Sequence, residues 1–283
     1  MSRRRLRGTS SSVSSPPPRL ISDELWALVE PLIPPRPPAV HGRTGRPRTS
    51  DRDVLEGIAS VLSTGIGWAK LPTELGYGSG WTCWRRLHEW AEAGLFDQLH
   101  RAVLNRLGEQ GRLDWSRASL DSVSGPGEKG GELTGPHPTD RGKRGSKYHL
   151  PVDATGPPLD VAVSGANRHD SMLVEPILDS MPAIRRGGSG HPRRRPVELH
   201  GDKGYDNLRV RRYLRRRGTR PDRPPRPGLQ RPAGRHRWVV ERTLGWLLSY
   251  KRLALRSDRS ASTITALARL AITFICARRI PNN

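Results

Sequence analysis

The chain has 283 residues, enough for one large domain or two modest ones, and carries 49 Lys and Arg against 27 Asp and Glu. The formal charge of +22 and the sequence pI of about 11.4 indicate a polyanionic partner such as nucleic acid. Two cysteines, Cys83 and Cys276, exclude a disulfide framework and a zinc finger, and they indicate a reduced, cytoplasmic setting. Apolar runs are too short for a secretory signal or a membrane span, so we expect no membrane partner.

The first segments separate a basic arm from a helical region. Residues 1–19 are rich in Arg, Ser and Pro, which predicts a disordered basic arm. Residues 20–110 predict a helical DNA-binding domain. Ser22 is a typical N-cap for a helix over 23–33, and Ser50 resembles the start of a capping box for a helix that ends at a glycine, residue 65.

A short helix over 68–75, a glycine turn and a helix over 81–93 fit a helix-turn-helix arrangement. A further helix, 95–107, leads out of the region. The side chains on the second helix that would then face DNA are Thr82, Arg85, Arg86 and His88. The alternative is a helical bundle with a solvated basic face.

The pattern changes after residue 110, and residues 111–283 predict a mixed α/β sheet flanked by helices. Apolar alternation predicts strands at 118–124, 147–152, 159–164 and 197–200, with a hairpin turn at 153–156. Helices are expected over 170–181 and from just after Asp202 to about Arg217. A Pro- and Arg-rich connection, 221–232, follows.

A helix over about 236–253 carries Glu241 between Trp238 and Leu244, which predicts an acid on an apolar stripe. A buried carboxylate is costly without a partner, so either a neighbouring arginine, Arg237 or Arg242, or a bound metal ion is expected. An amphipathic helix over 262–277 closes the chain.

Three carboxylates are candidates for one site: Asp121 in a strand, Asp202 at the end of a strand, and Glu241 on a late helix. If the fold joins them, they make a site for a pair of Mg²⁺ ions and for attack on a phosphodiester. Rival acids leave the assignment open on spacing alone: Asp140, Asp153, Asp160 and Asp170.

The order of motifs resembles the transposases of bacterial insertion sequences, in particular the insertion-sequence-five family. The segments that carry the resemblance are LDSVS, GGELTGPHPTDRGKRGSKYHLPVDATGPPL, GANRHDS, GDKGYD, RHRWVVERT and YKRLALRSDR, with ISDELWALVEPLIPP near the start. The resemblance implies an RNase H-like catalytic domain in which Asp121, Asp202 and Glu241 are the acidic triad. It also implies two Mg²⁺ ions when DNA is bound, with Mn²⁺ able to substitute. The expected partners are the terminal inverted repeats and target DNA, bound by a homodimer or a larger assembly.

Related families surround the glutamate with a Tyr-x2-Arg-x3-Glu-x6-Lys pattern. Arg237 and Glu241 fit it, whereas Gly234 and Leu248 stand at the Tyr and Lys positions. Lys251 or Arg252 lies a turn further on and is expected to replace the missing lysine. The full set of expected DNA-contacting residues is Arg85, Arg86, Arg141, Lys143, Lys147, Lys203, Arg237, Lys251 and Arg252.

Two other functions fit the composition. A DNA-binding protein derived from a transposase would keep the fold without the chemistry, although an intact triad argues against it. A basic RNA-associated structural protein would bind without metal-dependent cleavage. A transition-metal site built on His149, His169 and His200 is disfavoured, because their spacing matches no i, i+4 helical pair.

Overall fold

A computed structural model describes residues 19–35, 48–127, 129–188, 190–222 and 237–281. Almost all of the predicted basic arm, and most of the Pro- and Arg-rich connection with Gly234, lie outside the described residues.

The N-terminal helices form where the caps predict them. Helix α1 spans Asp23–Val29, and the Ser22 Oγ accepts a hydrogen bond from the Leu25 N–H. Helix α2 spans Asp51–Thr64. Its N-cap is Ser50, whose side chain accepts a hydrogen bond from the Asp53 N–H, and its C-cap is Gly65 in the left-handed conformation. Helix α3 spans Gly80–Glu92 and α4 spans Leu95–Glu109. Two 3₁₀ turns, Trp68–Lys70 and Thr73–Leu75, replace the short helix expected over 68–75.

The last helix, α9 (Ala261–Ala277), packs against α3 and α4. Polar contacts cross the same junction. The Thr273 hydroxyl lies 3.3 Å from the buried His100 ring on α4, and the Thr263 hydroxyl lies 2.9 Å from the His88 ring on α3. The N-terminal helices therefore share one continuous core with the C-terminal end of the chain.

The described residues form a six-stranded sheet. Strand β1 (Ala118–Pro126) pairs antiparallel with β3 (Arg144–Asp153), which pairs antiparallel with the two-residue β2 (Gly135–Pro136) and with β4 (Ala162–Gly165). On its other side β1 pairs parallel with β5 (Glu198–His200), and β5 pairs parallel with β6 (Arg220–Pro221).

The strand order β4-β3-β1-β5-β6 places three antiparallel strands, consecutive apart from the short β2, beside two parallel ones. That arrangement confirms the expected RNase H-like mixed sheet, preceded by a helical N-terminal region. The sequence pattern missed β2 and β6, because each has two residues and includes a proline.

Helices flank the sheet. Helix α5 (Val174–Ser180) follows a 3₁₀ turn, Asp170–Leu173, and α6 (Leu208–Arg217) connects β5 to β6. The helix expected over 236–253 is two helices, α7 (Trp238–Ser249) and α8 (Lys251–Ala254). It breaks at Tyr250, whose ψ of 101° is not helical. Helix α7 packs across β1 and β3, which brings Glu241 toward the sheet.

Among the described helices, none combines the length and the apolar character needed to cross a bilayer. Cys83 and Cys276 are both buried free thiols.

Candidate active site

The sheet register brings Asp121 and Asp202 close together. The parallel pairing of β1 with β5 ends at Ser119 opposite His200, so each aspartate lies two residues beyond the last pair on its own strand. Burial raises the pKa of Asp121, and the charge of neighbouring Asp202 raises it further. The end of the β1–β5 pairing thus forms one acidic centre.

Burial is the largest influence on Asp121 and raises its pKa, because desolvation disfavours the charged form. Two contacts favour the carboxylate. The Ser122 N–H donates to its Oδ1 at 2.8 Å, and the Arg237 Nη2 donates to its Oδ2 at 3.2 Å. A half-buried carboxylate beside a second one is a group that a cation stabilises.

Asp202 is held by the turn that follows it. The Gly204 N–H donates to the Asp202 Oδ1 at 2.8 Å, and the 3₁₀ turn Lys203–Tyr205 continues from there. This contact is the Asx-turn geometry that short Asp-x-Gly segments favour. It fixes one carboxylate oxygen and orients the group.

Glu241 lies in the first turn of α7, and its side chain is 58% exposed. The prediction of an acid on a buried stripe was therefore wrong. The buried side of α7 consists of Val239, Val240, Thr243, Leu244 and Leu247. The expected arginine partner is confirmed as Arg237, whose Nη2 lies 3.8 Å from the Glu241 Oε1. Arg242 instead stacks between Trp238 and Trp246, with ring distances of 4.7 and 4.6 Å.

One guanidinium group thus bridges two of the three acids. Arg237 contacts Asp121 and Glu241 at once, and Asp202 adds its charge to the same centre. An internal cation between carboxylates shows that the site fits positive charge, and oxygen ligands are those that Mg²⁺ and Mn²⁺ prefer. The triad residues consequently have the donor set of a divalent metal site.

The three histidines considered for a transition metal have separate neighbours. The His149 Nε2 lies 2.8 Å from the Ser164 Oγ, and the His169 ring caps the turn that begins at residue 170. His200 lies beside Glu198 and Asp222, and these three are the one group of His, Cys, Asp and Glu ligand atoms within 4.8 Å of one another among the described residues. The structure does not join the three histidines. The ligand atoms of Asp121, Asp202 and Glu241 are also farther from one another than those of Glu198, His200 and Asp222.

Comparisons with known proteins decide the family. Residues 114–276 match the family model of the transposase DDE domain, and residues 21–100 match the model described as "Putative transposase of IS4/5 family". The chain belongs to the DDE transposase family. It is therefore a metal-dependent DNA transposase with the insertion-sequence relationship that its motifs predicted.

Two sequence relatives from an insertion element agree with this assignment. The chain is 44% identical over 148 residues to the "Putative transposase for insertion sequence element IS402" of Burkholderia cepacia. This match covers 50% of this chain and 68% of the relative. It is 48% identical over 117 residues to the "Insertion element IS402 uncharacterized 16.2 kDa protein" of the same organism, covering 40% of this chain and 80% of the relative. A pre-cleavage Mos1 transpososome aligns over 87% of this chain and 83% of that chain, with 11% identity and a TM-score of 0.23.

Several residues expected to contact DNA are on the surface of the transposase. Arg85, Arg141 and Lys251 have exposed side chains, and Lys143 is 72% exposed. The side chain of Lys203 lies outside the described part of the structure. These positions remain candidates for phosphate contacts.

Three other expected DNA contacts are corrected by the structure. Arg86 is buried and forms ion pairs with Asp51 and Glu89. Arg252 is also buried, where a carboxylate at residue 258 and the carbonyls of residues 65 and 66 occupy its guanidinium. Lys147 is 15% exposed, and its ammonium group is paired with Asp170 at 2.9 Å. An arginine or lysine already satisfied inside the protein is not available to a DNA phosphate.

Sequence reasoning missed the buried arginine that follows α8. Arg256 is 1% exposed, and its guanidinium donates to the carbonyls of Glu132, Leu133 and Asp258 and to the Ser146 hydroxyl. It joins the glycine-rich loop after β1 to the start of α9. No local pattern reveals this role, since a single arginine between a leucine and a serine resembles a surface position.

Proposed function

We propose that this transposase cleaves DNA at the terminal inverted repeats of its own insertion element and transfers the 3′ ends to target DNA. The observation that carries the proposal is the acidic centre. Asp121 and Asp202 lie beside each other at the end of the β1–β5 pairing, and Arg237 bridges Asp121 to Glu241. Membership of the DDE transposase family supports the same chemistry.

Asp121, Asp202 and Glu241 are the proposed ligands of two Mg²⁺ ions in the DNA complex, with Mn²⁺ able to substitute. Such ions lower the pKa of the attacking hydroxyl group and stabilise the leaving oxygen. The protein contributes the arrangement of its own groups. Burial and hydrogen bonds hold Asp121 in place, the Gly204 N–H orients Asp202, and exposed Glu241 is free to adjust on its helix.

The proposed reaction has two balanced steps. In the first, water attacks a phosphorus atom at the end of the element, the P–O3′ bond breaks, and a 3′-hydroxyl group and a 5′-phosphate result. In the second, that 3′-hydroxyl attacks a phosphodiester of the target, and a new P–O bond replaces the one that breaks. Neither step needs an oxidant or an external energy source.

The strong positive charge of the chain supports binding of the DNA backbone, because phosphate contacts from Lys and Arg position a duplex without reading its sequence. We assign this role to the exposed residues Arg85, Arg141, Lys143 and Lys251, with Lys203 beside the acidic centre. Two element ends must be held together for transfer, so the working form is a homodimer or larger assembly on DNA. The proposed location is the bacterial cytoplasm, at the nucleoid.

Cleavage of a terminal-repeat duplex in Mg²⁺ tests the function, with wild type compared with Asp202→Asn. We expect the wild type to release a 3′-hydroxyl strand and the variant to bind the duplex without cutting it. Asp97→Asn serves as the charge-matched control. It removes one acid from α4, and the Asp97 side chain is 71% exposed. Equal cutting by wild type and Asp202→Asn would refute the assignment. Binding without cutting by the wild type would instead support the catalytically silent DNA-binding protein.

A further inference from the structure

Asp170 lies at the meeting point of the strands and turns that carry the catalytic acids. It opens the 3₁₀ turn Asp170–Leu173, in the Gly-Ala-Asn-Arg-His-Asp-Ser segment that follows β4. Its side chain is 26% exposed. One oxygen, Oδ1, accepts hydrogen bonds from two different strands: from the Ser122 Oγ at 3.0 Å and from the Lys147 Nζ at 2.9 Å.

Ser122 connects this carboxylate to the acidic centre. It is the residue next to Asp121 on β1, and its own N–H donates to the Asp121 Oδ1 at 2.8 Å. The same serine thus contacts Asp121 through its backbone and Asp170 through its hydroxyl group. A displacement of Asp170 would move the part of β1 that orients Asp121.

The turn of Asp202 packs against the turn of Asp170: the 3₁₀ turn Lys203–Tyr205 contacts the 3₁₀ turn Asp170–Leu173. Tyr205 is 5% exposed, and its ring packs on Gly201, where an added Cβ would lie 3.0 Å from the Tyr205 Cβ. Burial raises the pKa of Tyr205, and the charges of Asp170, Asp121 and Asp202 raise it further. The Tyr205 hydroxyl is buried and has no hydrogen-bond partner among the described residues.

The cation at this junction is fixed from the side of β3. The Lys147 Nζ also donates to the Arg168 carbonyl at 3.2 Å, so it is held by the turn as well as by the Asp170 carboxylate. His149, two residues along the same strand, is fully buried, with its Nδ1 at 3.8 Å from the Asp170 Oδ1. Burial lowers the pKa of His149 to about 4, so it adds no charge near neutral pH.

From these contacts we infer that Asp170 is a positioning residue for the metal-binding acids, an inference that rests on the proposed function. Asp170 ties the strand of Asp121, through Ser122, to the turn of Asp202, through the packing of the two 3₁₀ turns. The Lys147 ammonium group balances the charge of this fourth carboxylate and holds it in place. The tie fixes the separation of Asp121 and Asp202, on which binding of a pair of divalent ions depends.

The test is direct binding of Mn²⁺ to the full chain without DNA, followed by electron paramagnetic resonance. Asp170→Asn keeps an oxygen that accepts from Ser122 but leaves Lys147 without a charge partner. Loss of an outer-shell partner typically weakens metal affinity by about 10–100-fold, which is the effect we expect. Cleavage by this variant should fall further in Mg²⁺ than in Mn²⁺, because Mg²⁺ demands a more regular ligand geometry.

Two further variants make the result specific. Ser122→Ala removes only the hydroxyl group between the acids, so it should fold normally and weaken Mn²⁺ binding by a smaller factor, about 3–10-fold. Glu175→Gln removes one negative charge from α5, where Glu175 pairs with Arg209 at 3.1 Å, and should bind Mn²⁺ as the wild type does. Circular dichroism identifies a variant that has lost its fold.

The outcomes are separable. Folded Asp170→Asn and Ser122→Ala proteins that bind Mn²⁺ within twofold of the wild type, with an unchanged ratio of cleavage in Mg²⁺ to cleavage in Mn²⁺, would overturn the inference. The proposed function would still stand if Asp202→Asn abolished cleavage in the same experiment. A wild type that neither binds Mn²⁺ nor cuts the repeat would count against the proposed function itself.

Discussion

Removal of Arg237 should tighten divalent metal binding, although it deletes a residue of the site. Its guanidinium lies 3.2 Å from the Asp121 Oδ2 and 3.8 Å from the Glu241 Oε1, so it occupies the carboxylates that the ions need. The ions must displace it. In Arg237→Ala that competition disappears, and ions can bind the two carboxylates without first breaking these ion pairs.

The magnitude follows from the exposure of the groups. Arg237 and Glu241 are 41% and 58% exposed, and such a pair contributes about 0.5 kcal/mol. The pair with Asp121, which is 15% exposed, contributes about 1 kcal/mol. Together they correspond to about tenfold tighter binding, since 1.4 kcal/mol is a factor of ten.

Calorimetric titration of the DNA-free chain with Mn²⁺ measures the effect. Arg242→Ala is the control, because Arg242 lies on the same helix and carries the same charge but stacks on Trp238 and Trp246 rather than on the acids. It should change Mn²⁺ affinity by less than about twofold. Arg237→Ala binding Mn²⁺ no more tightly than the wild type would refute the reasoning.

Three further predictions concern stability. Burial lowers the pKa of His100 to about 3, so the unfolded chain takes up a proton below about pH 6.5 while the folded chain does not. The stability present above pH 6.5 should therefore fall toward pH 3, by about 2 kcal/mol at pH 5, and urea unfolding at pH 7.5 and 5 should show that His100→Gln lacks this part of the loss. Gly80→Ala would place a Cβ 1.7 Å from the Trp68 carbonyl oxygen. This overpacking should lower the free energy of unfolding by at least about 1 kcal/mol, and Tm with it. Gly67→Ala meets no atom within 4 Å and should leave Tm nearly unchanged. Arg256→Met leaves several buried carbonyls without a donor and should cost about 3–5 kcal/mol in denaturant unfolding; a cost below about 1 kcal/mol would contradict the role assigned to this arginine.

Local chemistry carried the prediction of the helices and of the acid-bearing strands. Ser22 and Ser50 cap where the sequence places them, because capping depends on residues three positions apart. The pair of Arg237 with Glu241 follows from i, i+4 spacing in the same way.

The remainder depends on contacts between residues far apart in the chain. The exposure of Glu241 was mispredicted because the buried side of α7 is set by the sheet beneath it, which the helical pattern alone does not locate. The pair of Arg237 with Asp121 joins residues 116 positions apart. Lys147, Arg86 and Arg252 resemble surface cations in the sequence, and only the fold supplies the carboxylates that engage them.

The packing of α9 against α3 and α4 has a consequence for damaged copies of the gene. A stop codon or frameshift upstream of Ala261 would remove the apolar surface that covers both helices. The product would expose the apolar faces of α3 and α4 and lose the partners of His88 and His100. Such truncated copies should be degraded or aggregate, rather than persist as competitors for the ends of intact elements.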